Sequence, residues 1–177
     1  MRQASRNQIF VPHRANLRSI MSLLKLPANE EWGPLAWQLL HGLAERFEKT
    51  SIKNVQIRND QIREFLHFLR YLEVCMPCKK CRDHFSMWRK ERPLSVDPAR
   101  FEIKRWLYDL HTVVNKRRGV EQSVIFEDLS GLYGSVYLIE ISLKLWKMIG
   151  DAVQLQAVTP ENFKNLKIHF GYLIRLL

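Results

Sequence analysis

The chain has 177 residues, 46% of them hydrophobic, which suits one domain with a modest core, and with only 7 glycines and 7 prolines a turn-rich all-β protein is disfavoured. The formal net charge of +10 invites an acidic partner, but the 28 lysines and arginines are scattered, the tightest run being Lys116-Arg117-Arg118. No zinc-finger spacing, RNA-binding aromatic motif or long basic tail accompanies them, so the charge reads as solvated helix faces without nucleic acid.

Residues 1–29 contain Arg2, Arg6, Arg14, Arg18 and Lys25 and no acid, with Leu17, Ile20, Met21 and Leu24 at helical spacing. They read as a basic amphipathic arm, and their composition is also that of a mitochondrial presequence. The first strong element opens at Trp32-Gly33-Pro34, where proline belongs in a first turn, and Leu35, Leu39, Leu40, Leu43 and Phe47 predict a helix over 34–48. Residues 49–59 are polar and read as a loop. Asp60 is a candidate cap for a second helix carrying Ile62, Phe65, Leu66, Leu69 and Leu72, which ends or bends at Pro77.

A third, short helix is expected from Cys78 to Arg92-Pro93. Asp97-Pro98 signals the start of a fourth, over 98–117. A fifth is expected over 131–156, whose Glu140, Lys144 and Lys147 argue against a membrane span, and a sixth from Pro160 with Thr159 as its cap. The fold class is therefore all-α.

All three cysteines fall in Cys75-Met-Pro-Cys78-Lys-Lys-Cys81, so no disulfide framework staples distant parts of the chain. A Cys-x-x-Cys opening a helix is redox chemistry: the helix N-terminus, with Lys79, Lys80 and Arg82 beside it, stabilises a thiolate, and the two-residue spacer lets the sulfurs bond. A metal site competes with this reading, because Cys75, Cys78, Cys81 and His84 recur every three residues. On a continuous helix each step turns about 60°, so four ligands cannot face one ion unless Pro77 breaks the helix. A purely structural cluster is the third alternative.

Three segments carry a resemblance. Trp32-Gly33-Pro34-Leu35-Ala36-Trp37-Gln38-Leu39-Leu40-His41 resembles the WGPxxWxxLH opening of the Erv/ALR sulfhydryl oxidases, Pro77-Cys78-Lys79-Lys80-Cys81 their PCxxC motif, and Trp106 to Asn115, with His111, their WxxxxHNxVN segment. The order matches, over residues 32 to about 119. The resemblance implies an Erv/ALR-type four-helix bundle over 30–119 that holds FAD, followed by an added C-terminal helical segment over 120–177.

It further implies that Cys78 and Cys81 are the catalytic pair, with Cys78 attacked by a client thiolate and Cys81 next to the flavin. Trp32, Gly33, Trp37, His41, His111, Val114, Asn115, Lys116 and Arg117 are the implied FAD-binding residues. Helical spacing agrees in part, since Trp37 and His41, and likewise His111 and Asn115, stand four apart and share a helix face. The implied activity is oxidation of thiols in a client protein, with O2 as final acceptor and hydrogen peroxide as product, by a homodimer; no metal, nucleic acid or membrane is expected as a partner.

Departures from the family pattern are Thr112 in place of Asn and Val120 where Lys often follows the glycine. The shuttle cysteines and the long-range disulfide of the mitochondrial members are missing too, which makes the chain more similar to the small oxidases of large DNA viruses. Host cytoplasm or virion, and the mitochondrial intermembrane space, both stay open as locations. Cys75 is an extra thiol, read as a small buried hydrophobe or as a resolving thiol. Two other functions remain in view: a zinc-binding adaptor built on Cys75, Cys78, Cys81 and His84, and a flavin-less interaction protein of the same fold.

Overall fold

A computed structural model describes residues 25–50, 54–121 and 123–177. Residues 1–24 of the expected basic arm lie outside the described residues. Among those described there are seven α-helices, two 3-10 turns and no strand, as the all-α expectation requires. The helices are α1 (Asn29–Lys49), α2 (Val55–Cys75), α3 (Lys79–Glu91), α4 (Ile103–Arg118), α5 (Leu129–Tyr133), α6 (Leu138–Gln154) and α7 (Pro160–Leu176). Among the described residues no helix is long and apolar enough to cross a membrane.

Several helix ends differ from those read off the chain. α1 begins at Asn29, five residues before Pro34, because the Glu31 carboxylate accepts the Ala28 backbone N–H at 2.7 Å and two acids sit in the first turn. Pro34 therefore lies inside the helix, where it removes the bond to the Glu30 carbonyl. α2 begins at Val55 with Asn54, not Asp60, as its cap: Asn54 Oδ1 accepts the N–H groups of Gln56 at 2.9 Å and Ile57 at 3.3 Å. Asp60 pairs with Arg63 instead.

The expected helix over 98–117 is divided. Asp97 caps only a 3-10 turn, Pro98–Arg100, after which Phe101 turns inward to meet Phe47 and Phe65, and α4 starts at Ile103. The expected helix over 131–156 is likewise two, α5 and α6, joined through Gly134 and Val136. Thr159 and Pro160 start α7 as expected, with Thr159 Oγ1 accepting the Asn162 N–H.

One hydrophobic core joins α1, α2, α3, α4, α6 and α7. Leu39 and Leu43 of α1, Phe65 and Phe68 of α2, Leu107 of α4, Leu145 and Ile149 of α6, and Leu166 and Leu173 of α7 are all buried in the same cluster. α7 lies along α2 and α6 along α1, so the C-terminal helices cover the flanks of the first two. Side chains close the join: Gln61, fully buried, donates to the Leu176 carbonyl at 2.6 Å, and Thr50 donates to Leu177 at 3.2 Å. The segment after Gly119 is thus packed into the bundle. By the usual area scale, each fully buried leucine or phenylalanine it contributes is worth about 1.5–3 kcal/mol.

Candidate active site

Pro77 disfavours a helical conformation at Met76, which takes φ −61°, ψ 130°, and α2 ends at Cys75. The chain restarts at once as α3, with Cys78 as its cap residue and the Cys81 N–H donating to Cys78 Sγ at 3.1 Å. Cys78 and Cys81 form a disulfide with Cα atoms 5.2 Å apart, inside the ordinary range. Neighbours hold this turn in place. Arg82 donates to the Met76 carbonyl at 2.7 Å and to the Ala157 carbonyl at 3.4 Å, and Arg89 pairs with Glu73 at 2.6 Å. The redox turn is therefore fastened both to α2 and to the loop before α7.

Cys75 is fully buried, and burial pushes its thiol up to about 12. It is an inert small hydrophobe at neutral pH, because a thiolate is what reacts. Among the described residues no group of three or more His, Cys, Asp or Glu side chains is arranged to hold a metal ion, so the zinc alternative finds no support in the geometry.

The disulfide opens onto a cleft of about 230 Å³ between α1, α3 and α4. Its walls are mostly apolar: Trp32, Ala36, Trp37 and Leu40 from α1, Phe85 from α3, and Leu110 and Val114 from α4. Its mouth is basic, with Lys80, Arg117 and Arg118, the last paired with Glu30 at 2.8 Å. His84 also lines the cleft, and its imidazole is held below the ordinary histidine range by desolvation first and then by the Arg117 and Lys80 charges. Such a site suits a flat apolar ring that carries anionic groups.

Behind Trp37 the character changes. Trp37 stacks on His111 with centroids 3.9 Å apart and planes 9° apart, and His111 Nδ1 lies 3.1 Å from His41 Nε2. Burial, then the His111 and Lys104 charges, lowers His41 to about 3, and burial lowers His111 to about 4, so both rings are neutral at pH 7. His41 Nδ1 is buried with no partner among the described residues. An orphaned acceptor costs less than an orphaned N–H, which assigns the proton of His41 to Nε2, donating to His111. His111 and Asn115 line a smaller cavity of about 40 Å³ with Tyr108, Ser123, Val124, Leu129 and Tyr133.

The residues implied by the resemblance thus separate. Trp32, Gly33, Trp37, Val114 and Arg117 line the cleft with both cysteines, whereas His111 and Asn115 line the smaller cavity, His41 is buried between them, and Lys116 lines neither. The sequence patterns do not single out Asn29, Phe85, Arg118 or Tyr133 as site residues, and they give Lys80 only a charge beside the thiols. Asn29 Oδ1 accepts the Trp32 indole N–H at 3.2 Å and lies 3.6 Å from Cys81 Sγ. Its signal was visible only to a reader who knew that α1 begins at Asn29, one turn before Trp32. Phe85 and Arg118 each stand four residues after an expected site residue, Cys81 and Val114, and could have been found by that spacing.

No curated protein and no solved structure matches the chain. A family model does, over residues 34–129, a span that runs from the proline of α1 through the redox turn and α4. The match takes in more than half of the sequence, and the chain belongs to the Erv1 / Alr family.

Proposed function

We propose that this protein is an FAD-linked thiol oxidase that introduces disulfide bonds into a client protein. The observation that carries the reading is the Cys78–Cys81 disulfide in the wall of an apolar, tryptophan-lined cleft with a basic mouth. The cleft fits the group: Trp32, Trp37, Phe85 and Val114 would hold an isoalloxazine by stacking and apolar contact, and Lys80 and Arg117 would face its diphosphate. When bound, FAD supplies a two-electron acceptor and the onward transfer to O2 that yields hydrogen peroxide.

The protein's own part is thiol–disulfide exchange. A client thiolate attacks Cys78 Sγ, a client–Cys78 disulfide forms, the Cys78–Cys81 bond breaks, and Cys81 leaves as thiolate. The client's second thiol, once deprotonated, attacks its own sulfur in the mixed disulfide and releases Cys78 as thiolate. The client leaves oxidised by two electrons and the pair is reduced by two. Cys78 is suited to leave because its sulfur already accepts the Cys81 N–H at the start of α3, where the helix end carries positive partial charge. Half-burial leaves both cysteines within reach of solvent.

Purified protein should be yellow, with the absorbance of bound FAD, and should oxidise a dithiol with consumption of O2. Cys81→Ser should abolish that turnover and keep the colour. A colourless, metal-free protein would establish the flavin-less alternative, and unchanged turnover in Cys81→Ser would refute the role given to that sulfur.

A further inference from the structure

Four flat side chains form a continuous array that starts in the wall of the cleft and ends in the C-terminal segment. Trp37 lines the cleft and stacks on His111, His111 is bonded to His41, and His41 lies against Tyr133 with centroids 4.7 Å apart and planes inclined by 20°. Tyr133 is the last residue of α5 and stands beyond the family match, which ends at residue 129. Its phenol is half-buried, and burial raises it above the ordinary tyrosine range, so the ring is neutral.

Backbone packing puts it there. Gly42, adjacent to His41, lies so close to Val136 and Leu138 that a Cβ at this position would collide with both side chains. The bare glycine lets the link between α5 and α6 press onto α1, which brings Tyr133, at the end of α5, over the imidazole. Lys104 of α4 anchors the same element, bonding Ser130 of α5 at 2.8 Å and pairing with Glu45 of α1 at 2.7 Å.

His41 is held by one hydrogen bond, through Nε2, and its Nδ1 has no bond among the described residues to help fix the ring. The rings packed on it therefore help to hold its plane, and the one stacked on it from α5 is Tyr133. His41 in turn sets the direction of the bond to His111, and His111 carries the indole of Trp37 on its face. We propose that Tyr133 is a positioning residue of the candidate site, bracing His41 and through it His111 so that Trp37 presents its indole to the cleft at the angle a bound flavin meets. The inference rests on the flavin reading above for its ligand, and on the array itself for its geometry.

The test compares Tyr133→Leu, which keeps apolar bulk and loses the flat ring, with Tyr133→Phe, which keeps the ring. FAD affinity is read from the quenching of flavin fluorescence on titration, well below the melting temperature of each protein. The ring environments of His41 and His111 are read from their imidazole nitrogen shifts in FAD-free, labelled protein. Tyr133→Leu should weaken FAD binding by more than about twofold and move both imidazoles, while Tyr133→Phe should bind within about twofold of the parent and move neither. Parental FAD affinity in Tyr133→Leu overturns the proposal, and so do imidazoles that stay where they are. If the parent protein binds no FAD, the flavin reading falls by itself, and the imidazole shifts still decide whether Tyr133 holds the array.

Discussion

On one side of the Trp37–His111 stack, α1 and α4 line an open cleft with indoles, aliphatic side chains and a basic rim against the Cys78–Cys81 disulfide. On its other side the same two helices bury His41, Glu45 and Lys104 under α5. The two sides differ above all in access to water. Trp37 and His41 share a face of α1, one turn apart, and that turn separates a residue that a ligand can reach from one that is sealed by residues of the C-terminal segment. Motif membership therefore says that a histidine belongs to the site's neighbourhood, and burial decides whether it touches the ligand or supports what does.

The comparison can be broken most completely by deleting residues 120–177. Without α6 and α7 the buried faces of α1 and α2, including Leu39, Phe68 and Leu69, lose their cover, and the remaining chain should lose its cooperative melting transition by circular dichroism. A truncated protein that still melted sharply would mean that the motif-bearing half is an independent domain.

Next in size is Glu45→Ala on the sealed side. It leaves Lys104 buried without its carboxylate and should cost about 3–5 kcal/mol in denaturant unfolding. A loss below about 1 kcal/mol would show that Lys104 escapes to water and that this side is open after all.

Acid should separate the two sides gradually, by an amount set by how far the pH is lowered. The unfolded chain binds protons on His41 and His111 near the ordinary value of about 6.5, whereas the folded chain resists until about 4 for His111 and about 3 for His41. The folded-state values are depressed, so the stability from keeping these rings neutral is fully present above about pH 6.5 and is lost as pH falls toward 4 and then 3. The slope should approach about 1.4 kcal/mol per pH unit for each ring, read from urea midpoints at a series of pH values. Midpoints that do not change between neutral pH and pH 5 would place water, or a neutralising charge, at the pair.

The smallest effect belongs to the exposed end of the redox helix. Lys79 is 80% exposed and pairs with Asp83 at 2.8 Å one turn along, so Lys79→Ala should leave the urea midpoint unchanged within error. A clear shift would give that surface pair a role it does not show here.

Local features were readable because their causes lie within a few residues. Pro77 halts α2, Cys78 caps α3, and Thr159-Pro160 starts α7 at the positions expected from the chain. The missed starts have equally local reasons that leave no hydrophobic trace: the first turn of α2 holds Val55 and Ile57 exposed, so no apolar stripe announces it, and its only sign is Asn54. The break between α5 and α6 hides within a continuous apolar pattern. Phe101 reads equally well as part of a helix and as the wedge it is, because both place it among apolar neighbours.

The sequence by itself determined the helical class, the redox turn and the family, since caps, proline geometry and the spacing of two cysteines act through bonds between near neighbours. Tertiary structure alone decided which side of Trp37 each remaining residue occupies. His41 meets His111 from 70 residues away, and α5 then covers the pair from beyond the matched segment. Solvent exclusion is a property of surfaces brought together by the whole fold, and no local pattern encodes it.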